Sequence, residues 1–124
     1  MTQSLEDYLE MVSFLTDEGE VRVTDIASRL GVSKPSVLTA LKILEERGLL
    51  EHGRYSGVAL TQEGISLAAE IRNRHRVLTD FLIEIVGVGW DTAERDACKM
   101  EHVLSEETLI KMKLLVQKKK AGDI

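Results

Sequence analysis

The sequence predicts a mainly α fold interrupted once, in its first half, by a small β-hairpin. Apolar residues recur at helical spacing from Leu5 to Val116, and only around residues 49–61 does the period shorten to that of strands. Few Gly and Pro, 4% aromatics and abundant Leu, Glu, Ala and Lys suit helices. Hydrophobic residues at 44% and charged residues at 30% place the chain among folded rather than disordered proteins.

Taken in order, the first helix has Ser4 as its N-cap and Leu5, Tyr8, Leu9, Val12 and Leu15 on one face. It ends in the polar run Thr16-Asp17-Glu18-Gly19-Glu20. A short second helix fits residues 24–30, with Ile26, Ala27 and Leu30 facing inward. Gly31 can take the left-handed conformation that turns the chain. Ser33 then caps a third helix, with Pro35 in the first turn, where its missing N–H costs nothing. Val37, Leu41 and Leu44 continue the apolar stripe, and Gly48 closes it.

Residues 49–52 and 58–61 are strand-like and joined by Gly53-Arg54-Tyr55-Ser56-Gly57, a hairpin with a basic tip. Two short helices at a tight turn followed by such a hairpin make a winged helix-turn-helix, an arrangement that binds DNA. On that reading Ser33, Lys34, Ser36, Thr39 and Lys42, with Pro35 among them, form the exposed side of the recognition helix. Arg54 and Tyr55 at the wing tip contact phosphate or the minor groove. The Lys and Arg positions also read as ordinary solvated surface.

The second half reads as helix throughout. Thr61 caps a long helix with Ile65, Ala68, Ile71, Leu78, Leu82 and Ile85 as one stripe, stopping near Gly87 and Gly89. Asp91 with Glu94 makes a capping-box-like start for the next helix, through about residue 104. Ser105 caps a last helix carrying Leu109, Met112 and Val116, which frays into Lys118-Lys119-Lys120. These helices expose more apolar stripe than the wing can cover, so a two-fold homodimer interface is expected, suited to palindromic double-stranded DNA. The organisation is a winged helix-turn-helix over residues 1–61, then an all-helical metal-binding and dimerisation domain over 62–124.

No stretch reaches the ~18 apolar residues of a membrane span, and the first residues lack a signal-peptide pattern. The lone Cys98 forms no internal disulfide, which suits a cytoplasmic protein. Net charge is −5, the wrong sign for DNA binding by bulk electrostatics, so a DNA-binding reading must account for the acid.

Cys98, Glu101 and His102 lie at i, i+3 and i+4, so on one helix they fall within an arc of roughly 100° and can reach one point. Thiolate, carboxylate and imidazole all bind metals. Asp7 and Glu10, one turn apart, present two carboxylates together, and His75 lies in line with Ile71, Leu78 and Leu82. A Mn(II)- or Fe(II)-like ion takes five to six such mixed donors. Each residue also has a plainer role. Asp7 can complete an N-terminal cap, Glu10 can be solvated, His75 can be a hydrogen-bonded core residue, and Cys98 a small hydrophobe.

In Leu5-Glu6-Asp7-Tyr8-Leu9-Glu10, Ser33-Lys34-Pro35-Ser36-Val37, Arg74-His75-Arg76 and Ala97-Cys98-Lys99-Met100-Glu101-His102-Val103-Leu104-Ser105, the sequence resembles the diphtheria toxin repressor and manganese transport regulator family, over essentially its whole length. The resemblance implies a homodimer whose metal-loaded form binds operator DNA and represses metal-uptake genes, with Mn(II) or Fe(II) as cofactor. It implies Asp7, Glu10, His75, Cys98, Glu101 and His102 as ligands. Two departures stand out. The length leaves no room for the SH3-like C-terminal domain of the iron branch, which favours the short manganese-type architecture. Asp7 and Glu10 look like the manganese branch, whereas Cys98 looks like the iron branch. Thr79 and Glu94 stand where the iron branch's second metal site has Glu and His.

The acidic charge then has an expected use. Without a cation the carboxylates of Asp7, Glu10 and Glu101 repel one another. A divalent ion turns that repulsion into coordination, pins the first helix to the dimerisation core and fixes the spacing of the recognition helices. One rival reading is a winged-helix regulator responding to a small organic ligand. Another is a metalloenzyme with Glu101 as base, against which no HExxH, nucleophile elbow or phosphate loop is present; no enzyme is expected.

Overall fold

The computed structural model describes residues 3–53 and 57–124. It divides into two compact units, Met1–Glu70 and Ile71–Ile124, and the division falls inside one long helix.

The first unit contains α1 (Gln3–Glu18), α2 (Val23–Leu30), α3 (Lys34–Glu46), β1 (Leu50–His52), β2 (Val58–Leu60) and the start of α4 (Gln62–Phe81). Leu9 and Val12 of α1, Ile26 of α2, Val37, Leu41 and Leu44 of α3 and Leu50 of β1 are all fully buried. Together they form an apolar core in which α1 packs on α2 and α3, and the hairpin packs on α3 and α1. Ser4 lies inside α1 and does not cap it. Gly31 adopts φ 66° and ψ 36°, the left-handed turn expected between α2 and α3. Ser33 caps α3 by accepting the Ser36 N–H at 3.3 Å.

The strands pair antiparallel with Leu50 opposite Leu60, Glu51 opposite Ala59 and His52 opposite Val58. Val58 also donates its N–H to the Val21 carbonyl at 2.9 Å, so a third extended residue joins the hairpin. A single paired residue has no periodicity, which is why no sequence pattern announces it. Thr61 caps α4, accepting the Gly64 N–H at 3.1 Å and donating to the Gly48 carbonyl at 2.6 Å. Gly64 is dictated by close approach, because a Cβ there would lie 1.9 Å from the Leu49 carbonyl oxygen. Ile65 departs from the expected stripe and is 50% exposed.

The second unit continues α4 from Ile71 through a π-helical segment, Leu82–Val86, then α5 (Trp90–Met100) and α6 (Glu106–Lys120). Its core is Val77, Leu78, Leu82, Ala93, Ala97 and Leu109. The chain leaves the π-helical segment where Gly87 donates to the Leu82 carbonyl at 2.9 Å.

Three expectations are corrected here. Gly89, extended at φ −71° and ψ 165°, is the N-cap of α5, so Asp91 is already inside the helix and forms no capping box with Glu94. The helix stops at Met100; Glu101 keeps helical dihedrals, and 101–103 form a turn. The final lysines lie within the helix, since α6 runs through Lys120. Ser105 caps α6 as expected, accepting the Thr108 N–H at 3.2 Å.

Candidate functional site

Within the second unit, the end of α5 and the middle of α4 build a buried polar cluster. The helical backbone at Glu101 sends its side chain into the core, where it is wholly buried. Its Oε2 lies 2.8 Å from Nδ1 of His75 on α4, and the Arg74 guanidinium donates to its carbonyl at 3.2 Å. The other ring nitrogen of His75, Nε2, is hydrogen-bonded to Glu94 of α5. Held between two carboxylates, His75 is pushed up from 6.5 to about 9, chiefly by its bond to Glu101, with burial opposing and Glu94 adding. It is thus an imidazolium that donates from both nitrogens in the metal-free protein.

The second carboxylate oxygen, Glu101 Oε1, is buried and makes no hydrogen bond among the described residues. Opposite it, 3.3 Å away, stands Nε2 of His102, whose side chain is also buried. An anionic oxygen left without a donor in a buried site costs several kcal/mol by order of magnitude. An oxygen and an imidazole nitrogen facing each other are a donor pair that suits a divalent transition ion. The residues present therefore fit such an ion.

The remaining expected ligands are placed as follows. Asp7 and Glu10 lie one turn apart on α1 of the first unit, Asp7 half-buried and Glu10 buried, so Glu10 is not simply solvated. Cys98 lies on α5 and is exposed, one turn before Glu101. The helix that would have carried Cys98, Glu101 and His102 together ends before the last two. Glu94, noted in the sequence only as a departure at the iron branch's second metal site and as a capping partner of Asp91, is the residue that the fold sets against His75.

In the first unit, Ser33, Lys34, Pro35, Ser36, Thr39 and Lys42 are all exposed on or beside α3, as expected of a recognition helix. Leu38, an apolar residue, is exposed among them. Arg54 and Tyr55 lie outside the described residues.

Two family profiles cover the chain: the iron dependent repressor N-terminal DNA binding domain over residues 1–58, and the iron dependent repressor metal binding and dimerisation domain over 61–121. The chain is 48% identical over 115 residues to the transcriptional regulator MntR of Escherichia coli O157:H7, covering 92% of this chain and 74% of that one. It is 32% identical over 108 residues to the iron-dependent repressor IdeR of Mycobacterium tuberculosis, covering 86% of this chain and 47% of that one. A solved manganese-dependent transcriptional repressor in complex with manganese superposes with a TM-score of 0.82 at 30% identity, covering 91% of this chain and 52% of that one. The chain thus spans about three quarters of that MntR and about half of the solved repressor. These likenesses support a metal-dependent regulator and not one responding to an organic ligand.

Proposed function

The chain belongs to the iron-dependent repressor family, and from that premise we propose that it is a homodimeric repressor whose divalent-metal-loaded form binds palindromic operator DNA and controls metal-uptake genes. The observation that carries the metal half of this reading is the buried Glu101 carboxylate, one oxygen satisfied by His75 and the other facing His102 without a hydrogen-bond donor. A bound Mn(II) or Fe(II) would give this oxygen the partner that it lacks among the described residues.

Glu101 and His102 would hold the ion, with Asp7, Glu10, His75 and Cys98 as the further donors. Coordination through either nitrogen of His75 replaces one of its two carboxylate hydrogen bonds, so His75 competes with its own partners for the role. The hard carboxylates keep Mn(II) competent, and the softer thiolate of Cys98 adds affinity for Fe(II). Residues 1–61 act as the DNA-binding part and 62–124 as the metal-binding and dimerisation part. The site would serve regulation, as in the transcriptional regulators to which the chain is similar.

On the DNA side, α3 enters the major groove with its N-terminal turns foremost. Lys34 and Lys42 supply positive charge that the acidic chain lacks overall. Ser33, Pro35, Ser36 and Thr39 complete the contact surface, with Arg54 and Tyr55 at the wing. The test is a mobility shift on a palindromic duplex selected from random DNA. Binding in Mn(II) or Fe(II) and its loss with a chelator are expected. Equal binding in both conditions would sink the switch.

A further inference from the structure

The exposed side of α3 is more apolar than a helix reading bases through hydrogen bonds alone would need. Leu38 is 47% exposed, whereas Leu41 and Leu44 on the same helix are fully buried. At about 100° per residue, Lys34, Leu38 and Lys42 form one row, and Pro35 and Thr39 the row beside it. All five are exposed.

The hydroxyls nearby are engaged within the helix. Thr39 Oγ1 donates to the Pro35 carbonyl at 3.0 Å, which commits its proton and leaves an acceptor oxygen and the γ-methyl facing outward. Ser33 Oγ and Ser36 Oγ lie 2.9 Å apart, and Ser33 Oγ also accepts the Ser36 N–H. Beside those hydroxyl oxygens, α3 offers outward an apolar strip, Leu38 with the Thr39 methyl, flanked by two ammonium groups.

We infer that α3 reads thymine C5-methyl groups in the major groove through Leu38 and the Thr39 methyl, with Lys34 and Lys42 holding phosphates on either side. The inference rests on the DNA-binding reading above and adds the chemistry of its specificity. Thymine is the base that presents a methyl in the major groove, and apolar side chains are what recognise it. The two lysines match the phosphates that border a groove, and they position without specifying sequence. Thr39 then acts by its methyl, where a purely polar reading would assign its hydroxyl.

The probe is a duplex selected from random-sequence DNA by the metal-loaded full chain, resynthesised with deoxyuridine in place of single thymines. That exchange removes one methyl and no hydrogen-bonding group. At one or two thymines in each half-site, wild-type affinity is expected to fall roughly fourfold, the value of one buried methyl-sized group. Leu38→Ala should lose the distinction between thymine and uracil at one such position. Thr39→Ser, which keeps the hydroxyl, should lose it at another, and Thr39→Val, which keeps the methyl, should retain it. Equal wild-type affinity for thymine and uracil at every position overturns the inference and leaves DNA binding intact. Thymine preference surviving in both Leu38→Ala and Thr39→Ser also overturns it. No duplex enriched in either Mn(II) or Fe(II) overturns the DNA-binding reading, and this inference with it.

Discussion

The two compact units draw on the same residue types and close in opposite ways. The first buries Leu9, Val12, Ile26, Val37, Leu41, Leu44 and Leu50 completely, so its own chain supplies its core. The second places a wholly buried carboxylate, Glu101, beside two imidazoles, while Val86, Trp90, Val103 and Ile110 are each at least half exposed. A buried charge set is worth having only when every member is compensated, and large exposed apolar side chains mark an interaction surface. The first unit thus draws its apolar core from its own residues. The second carries a polar core and exposed apolar side chains, which suits the metal binding and dimerisation domain that its family profile describes.

The largest effect that tests this contrast is expected from His102→Ala. Removing that imidazole should weaken Mn(II) affinity by about 100-fold or more, measured by calorimetry. Metal-dependent protection from hydrogen exchange over residues 71–124 should vanish, with circular dichroism unchanged. Unaltered affinity would remove His102 from the site and leave the second unit's polar core unexplained.

Gly64→Ala probes the first unit, where failure should come from sterics and not from charge. The new methyl meets the Leu49 carbonyl oxygen, a backbone atom, at 1.9 Å. A loss of about 3 kcal/mol in urea unfolding is expected, unchanged by added metal per mole of folded protein. A neutral substitution would mean that α4 shifts freely against β1.

A smaller effect follows from pH in the metal-free protein. His75 has a folded pKa of about 9, above its ordinary 6.5. Its contribution is therefore fully present below 6.5, where it is protonated folded or unfolded, and is lost as pH rises through about 9. The melting temperature should fall across that window, on the order of 5 °C. Glu94→Gln, which leaves the Glu101 bond in place, should flatten the fall. An equal slope in both proteins would show that Glu94 does not hold His75 in solution.

The smallest effects should be the same in both units. Ser33 and Ser105 cap α3 and α6 through the same bond, to the N–H three residues on. Ser33→Ala and Ser105→Ala should each cost about 1 kcal/mol, read by thermal unfolding. A much larger cost for Ser105→Ala would sharpen the contrast, since it would show the second unit nearer its threshold.

Most of the first unit was legible because its signals are local. Ser33, Pro35, Gly31 and Thr61 act within a few residues of themselves, and the apolar stripe of α3 carries its own period. Val21 was not legible, since its partner Val58 lies far along the chain. In the second unit the donor residues were legible as chemistry but their arrangement was not. Asp91 and Glu94 have capping-box spacing, yet the helix begins two residues too early for them to use it. Cys98, Glu101 and His102 have one-face spacing, yet the helix ends before they share it, so Cys98 is exposed while Glu101 is buried.

By itself, then, the sequence determined the class of fold, the order of its elements, the candidate recognition helix and the types of candidate metal donor. Periodicity, caps and turn residues report free energies set by neighbours in the chain, and those can be read without knowing the fold. Tertiary structure alone decided that Glu94 answers His75 across two helices, that one oxygen of Glu101 is left facing His102, and that Leu38 stays outside while Leu41 goes in. Those outcomes depend on where helices stop and which faces meet, and they are fixed by burial and pairing between residues that the linear order keeps apart.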